Sequence, residues 1–228
     1  MTARDGAAAR RKPADSVTAV SDSVDGAGGR REQILAAAQK LFAEKGFRET
    51  NLNDVATQLG FRRQAVYHYF RSKDEILYEL IDRAGQAIAT SAQLTLDADM
   101  PPADKLAEVV RNHIRQLLRN IDIFRIQFSE LFKLRGDRAD GLRRDMSAYV
   151  RSIANVIKEG QKDGTFVDVP PTTQVLLILG MCDGTIEWYT GARSSLSIDD
   201  LAEYAARLAL SGVTGDRTRP GPKGARRR

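Results

Sequence analysis

Between Val55 and Lys73 the chain holds four basic side chains, Arg62, Arg63, Arg71 and Lys73, and no acidic one. Gln64, Tyr67, His68 and Tyr69 are interleaved with them. These are the residue types that read a nucleic-acid duplex. Arginine donates a bidentate pair to guanine, glutamine pairs with adenine, and Tyr, His and Lys hold phosphate oxygens. A bland alternative stands beside this reading, in which the aromatics pack on a neighbouring helix and the arginines form a solvated face. Catalytic chemistry has less to work with. His68 and His113 are far apart in sequence, Cys182 is the single cysteine, and no glycine-rich phosphate loop or metal-ligand spacing occurs. No catalytic residue, metal or cofactor is therefore predicted, although 30 Asp and Glu residues can conceal a carboxylate pair that spacing alone does not reveal.

The flanking sequence supplies elements that would hold those side chains outward. A helix over about 30–45 carries Ile34, Leu35, Ala38, Leu41 and Phe42 on one stripe, with Gly46 where a left-handed cap is wanted and Phe47 returning to the core. Thr50 is the expected N-cap of a short helix bearing Leu52, Val55 and Leu59, which Gly60 ends. The next helix is predicted over about 62–69. At 100° per residue it places Val66 and Phe70 on one face and Gln64, Tyr67 and His68 on the other, with Arg63 beside them. Ser72 and Glu75 form a capping box for a long helix that faces Ile76, Leu77, Leu80, Ile81, Ala84 and Ile88 inward. Two short helices around a glycine turn match helix-turn-helix geometry, whose second helix enters the major groove. Thr50 and the free N–H groups of the helix after it offer a further phosphate contact.

The formal charge of +5 is less informative than its placement. Residues 211–228 hold six basic and one acidic group, 1–29 hold four of each, and the stretch between is neutral. Within it, 30–83 carries ten basic and eight acidic groups, and 84–210 carries fifteen and seventeen. Residues 1–29 lack apolar periodicity and read as a disordered arm; 213–228, with Pro220, Pro222 and Arg226 to Arg228, read as a basic disordered tail. The tail is expected to solubilise, with non-specific phosphate contact as the alternative. Cys182 lies in an apolar run and reads as a reduced core thiol. No uncharged stretch approaches the ~20 residues that span a bilayer, and no hydrophobic segment follows the N-terminal arginines. A soluble, cytoplasmic protein without a membrane partner is expected.

Beyond Pro102 the three- and four-residue spacing continues, giving an all-α fold: a three-helix head at 30–83 and a larger helical bundle at 84–212. Helices are predicted over about 103–120, 122–133 and 140–163, then one opened by Pro171, then a last one started by Ser197 and Asp200. Phe124, Phe128 and Phe132 recur every four residues and share a face. With Met146, Tyr149, Met181 and Trp188 they are the candidate lining of an apolar ligand cavity between helices; ordinary core packing is the alternative for each.

Residues 30–83 resemble the DNA-binding head of the TetR/AcrR regulators. The similarity is carried by Arg31 to Ala38, Leu41 to Phe47, Thr50, Val55-Ala56, Leu59-Gly60 and above all Val66-Tyr67-His68-Tyr69-Phe70-Arg71-Ser72-Lys73-Asp74-Glu75-Ile76-Leu77. The resemblance implies that Thr50, Arg63, Gln64, Tyr67, His68, Tyr69 and Lys73 touch DNA, Lys73 through a phosphate. Arg62-Arg63-Gln64 departs from the small residues common at the start of that helix, so base preference does not carry over. The last two helices look like the pair that forms a dimeric four-helix interface in the family, which implies a homodimer on a near-palindromic double-stranded operator. Gly180 to Tyr189 with Ser195-Leu196-Ser197 is similar to a subgroup of repressors of fatty-acid, sterol or other acyl catabolism that an acyl-CoA thioester releases from DNA. Thr190 to Arg193 departs from that subgroup's pattern. Its ligand's phosphates would need Arg115, Arg119, Arg125 or Arg193, among which the sequence does not choose. The alternatives are a different hydrophobic or aromatic effector, or a non-specific nucleoid-coating role.

Overall fold

The computed structural model describes residues 26–130, 136–190 and 195–214, and within them the periodic stretches become helix, with no strand among the described residues. The head is α1 (Gly26–Lys45), α2 (Leu52–Leu59), α3 (Arg63–Tyr69) and the start of α4 (Lys73–Leu96). The body adds α5 (Pro102–Arg119), α6 (Ile121–Glu130), α7 (Asp137–Lys162), α8 (Pro171–Asp183), the single turn α9 (Thr185–Trp188) and α10 (Ile198–Thr214). No described helix is long and apolar enough to cross a membrane.

The boundaries differ from expectation where packing or a cap overrides local propensity. Residues 26–29 are the first turn of α1, since adding a turn to an existing helix is cheap compared with nucleating one; the rest of the expected arm lies outside the described residues. At the other end Val213 is buried and its carbonyl accepts from the N–H of Val167, which keeps α10 helical to Thr214. Residues 215–228 lie outside the described residues. The helix opened by Pro171 stops at Asp183, and α9 follows as a separate turn. At the start of α10, where the sequence places them, Ser197 and Asp200 bond reciprocally.

α5 sits at the centre of the body, packed against α4, α7, α8 and α10. Its buried face, which includes Leu106, Val110, Ile114 and Leu117, is the apolar stripe read from the sequence. The head's core is not sealed off from the body. Ile34, Phe42, Val66, Phe70, Ile76 and Leu77 share one apolar cluster with Ile123, Phe124 and Ile126 of α6. α4 runs unbroken through 83–84, and two ion pairs, Arg48 with Glu130 and Arg138 with Glu75, cross the same junction. A displacement of α6 or α4 is therefore transmitted to the head by packing, because close-packed interiors transmit strain.

Candidate nucleic-acid interface and effector cavity

At the corner between α1 and α2, two of the side chains expected to touch DNA have internal partners. Thr50 is 1% exposed, and its hydroxyl donates to the carbonyls of Gly46 at 2.8 Å and Leu41 at 3.3 Å. It does not cap α2. Asn51 does, its Oδ1 accepting from the N–H groups of Asn53 and Asp54 while Asp54 Oδ2 accepts from the N–H of Asn51. Lys73 closes the same corner. Its ammonium donates to the carbonyls of Phe47, Arg48 and Thr50 at 2.8, 2.7 and 3.0 Å, and an ammonium has three protons to give. The Thr50 hydroxyl and the Lys73 ammonium, both expected on phosphates, are thus engaged by backbone carbonyls of this corner in the chain without DNA. The predicted capping box at α4 is also altered: Ser72 accepts from the N–H of Glu75, but Glu75 accepts from the N–H of Arg71 instead of Ser72.

α3 presents the expected two-sided arrangement. Val66 and Phe70 are fully buried in the head core, with the Arg31 guanidinium 4.7 Å from the Phe70 ring. Arg62, Arg63, Gln64, Tyr67 and His68 are exposed. Gly60, in the left-handed conformation at φ 65°, makes the turn that sets α3 across α2, a conformation a Cβ would strain. Along the outer face Arg63 Nη2 donates to the Tyr67 hydroxyl at 3.2 Å, and its guanidinium lies 5.0 Å from that ring. Tyr69 is half-buried against the core and meets the His68 ring edge-on. The remaining guanidinium and amide donors of this face are exposed to solvent.

A cavity of about 500 Å³ lies between α4, α5, α6 and α7. Phe124, Phe128, Met146 and Tyr149 line it, together with Ile81, Ile88 and Leu117. Phe132 lies outside the described residues. Met181 and Trp188 do not line the cavity: they are exposed, and with Leu176, Leu177, Tyr204 and Leu208 they belong to the apolar side chains left uncovered on α8, α9 and α10. The reason is register. α8 buries Gln174, Val175, Ile178 and Cys182, which turns Leu177 and Met181 outward.

Sequence reasoning missed the polar part of the wall. His113 is buried on α5, its Nε2 3.1 Å from Asp183 Oδ1 and its Nδ1 3.1 Å from the Tyr149 hydroxyl. A carboxylate only accepts, so Nε2 carries the proton, and in the neutral ring Nδ1 accepts from Tyr149. Burial raises the Tyr149 hydroxyl well above its ordinary range and keeps it a donor. Burial, with Asp183 nearby, pushes the Cys182 thiol up to about 12, which makes it inert. The signal for His113 was its position on the apolar stripe of α5, where an imidazole needs partners from other helices. Gln127 and Asp183 also line the wall. Of the arginines considered for phosphates, Arg115 pairs with Asp199, Arg125 donates to the carbonyls of Ile186 and Tyr189, and Arg119 is exposed; none lines the cavity, and Arg193 lies outside the described residues.

Residues 34–80 match the bacterial regulatory proteins of the tetR family, and 99–213, half of the chain, match the tetracyclin repressor-like C-terminal domain. The chain belongs to the TetR family. Among curated TetR relatives, the transcriptional repressor KstR2 of Mycolicibacterium smegmatis is 23% identical over 196 residues, 81% of this chain and 91% of the relative. A TetR/AcrR regulator of Thermobifida fusca superposes with a TM-score of 0.67 at 29% identity, covering 81% of this chain and 98% of that one. AibR, solved with isovaleryl coenzyme A and operator DNA, shares the fold at TM-score 0.69 and 18% identity, covering 81% and 98% of the respective chains. The protein is accordingly a helix-turn-helix transcriptional regulator of the TetR family, whose relatives include repressors.

Proposed function

We propose that the protein is a homodimeric repressor that occupies a near-palindromic operator through α3 and leaves it when a small molecule fills the cavity between α4, α5, α6 and α7. The observation that carries the reading is the division of α3 into a buried anchor, Val66 and Phe70, and an exposed donor face, Arg63, Gln64, Tyr67 and His68. Leu176, Leu177, Trp188, Tyr204 and Leu208 supply the apolar surface that a two-fold partner would cover, in keeping with a pair of heads on a pair of half-sites. The effector acts through α4 and α6, which line the cavity and pack in the head cluster. A coupling of about 1–3 kcal/mol lowers operator affinity roughly 5- to 150-fold. An effector without preference between the two body conformations releases nothing.

An acyl-CoA thioester is the second reading, favoured by the likeness to AibR. Its acyl part would occupy the cavity. Its phosphates would have to displace Glu32, Glu75 and Glu79 from Arg31, Arg83 and Arg138 in the adjoining cleft, which shares Asp82, Gln86, Leu142 and Asp145 with the cavity wall. Footprinting on duplexes selected from a randomised pool tests the repressor reading. The expected pattern is two protected half-sites about one helical turn apart, ~34–36 Å. A protein that coats DNA without reading it would protect no palindrome and would ignore every effector.

A further inference from the structure

The cavity wall is one-sided in its polar chemistry. Asp82, Asp145 and Asp183 line it, and among the described residues no Lys or Arg does. The three arginines of the adjoining cleft are already paired, Arg31 with Glu79, Arg83 with Glu32 and Glu79, and Arg138 with Glu75. His113, the remaining basic side chain of the wall, has both ring nitrogens engaged by Tyr149 and Asp183.

Gln127 adds a second, independent observation. It is 8% exposed, and its Oε1 has no hydrogen-bond partner among the described residues. Its Nε2 meets Met146 Sδ at 3.8 Å, a weak acceptor. Turning the amide round would set the oxygen against the sulfur and orphan the stronger donor, so the orientation seen is the better of the two. A buried, unpaired acceptor destabilises the site, and an occupant with a donor relieves it. A ligand carboxylate has the opposite fate, since the like charges of Asp82, Asp145 and Asp183 oppose it.

We propose that the cavity is built for an apolar molecule that carries a hydrogen-bond donor, a hydroxyl or a protonated amine, and no negative charge. The proposal rests on the reading of this cavity as the effector site. Gln127 Oε1 takes the donor, the carboxylate side of the wall excludes anions, and Phe124, Phe128 and Leu117 hold the apolar body. At about 500 Å³ the space lies within the ~300–1,000 Å³ of small-molecule sites.

Calorimetric titration of the full chain with octan-1-ol, octan-1-amine, octyl methyl ether, octanoate and octanoyl-CoA tests it, with operator binding followed in parallel by fluorescence anisotropy. The alcohol and the amine are expected to bind roughly ten-fold tighter than the ether, which has no donor, and tighter still than octanoate. Gln127→Leu should erase the margin of the alcohol over the ether without lowering the melting temperature, because it removes an unpaired acceptor. Octanoate or octanoyl-CoA binding as tightly as the alcohol overturns the proposal, as does an unchanged margin in the variant or no heat from alcohol and amine alike. Failure of the repressor reading looks different: the alcohol or amine binds, and operator affinity does not move.

Discussion

Lys73 and Arg63 carry the same charge in the same short segment and do different work. The Lys73 ammonium is bound by three carbonyls at the α1–α2 corner, whereas the Arg63 guanidinium lies on the exposed face against Tyr67. Lys73→Ala is expected to destabilise the head by about 1–3 kcal/mol, since partly buried carbonyls lose their donor. Thermal melting measures this, and a salt titration of operator binding by the folded variant should keep its slope; a slope reduced by about one would restore a phosphate contact to Lys73. Tyr67→Ala should weaken binding to every sequence, as it removes an exposed hydroxyl of the proposed DNA-facing side and the ring that steadies Arg63. Unchanged affinity in the same titration would contradict that. Which side chains point outward on α3 was legible from Val66 and Phe70 alone, since the helical period fixes the opposite face. The carbonyls that bind Lys73 were not, because they come from a corner more than twenty residues upstream whose geometry exists only after folding.

Helix ends and close approaches set the next scale. Adjacent Thr50 and Asn51 are both good caps by type, and the hydrophobic pattern puts Thr50 inside, where its hydroxyl turns to the end of α1. Propensity alone does not separate such neighbours. In α7, an added Cβ at Gly160 would clash with the buried Phe166 ring. Gly160→Ala is therefore expected to cost roughly 1–3 kcal/mol by overpacking, and chemical denaturation should show it. At the head–body junction Glu75 accepts from the N–H of Arg71 and pairs with Arg138, and the first of these leads in holding its carboxyl below the usual carboxylate range. A lowered folded value means the stabilisation is present at neutral pH, above the unfolded value, and is lost as pH falls through the folded one. Glu75→Gln should melt below the wild type at neutral pH, with the difference vanishing in acid; a difference that persists in acid would assign the effect to packing.

Over the whole molecule, the all-α architecture and the face of each long helix were readable from periodicity. The composition of the cavity wall was not. Of the six described residues expected there, four line it, because the pattern tells which face of a helix is apolar and not whether that face meets a cavity or, like Trp188, the outside. His113, Gln127 and Asp183 come from three helices that meet only in the fold. Leu208, exposed on α10, gives a test of assembly: Leu208→Glu leaves the protomer core untouched and should halve the mass seen by sedimentation and remove high-affinity operator binding. A dimer of unchanged stability would move the interface elsewhere. The most direct measurement of how this protein recognises DNA is a selection on randomised duplexes with the wild type and with Gln64→Ala. The expected result is a palindromic consensus that loses about 1–3 kcal/mol of discrimination at one position of each half-site in the variant. An identical consensus from both proteins, or none from the wild type, would contradict the assignment of base reading to the outer face of α3.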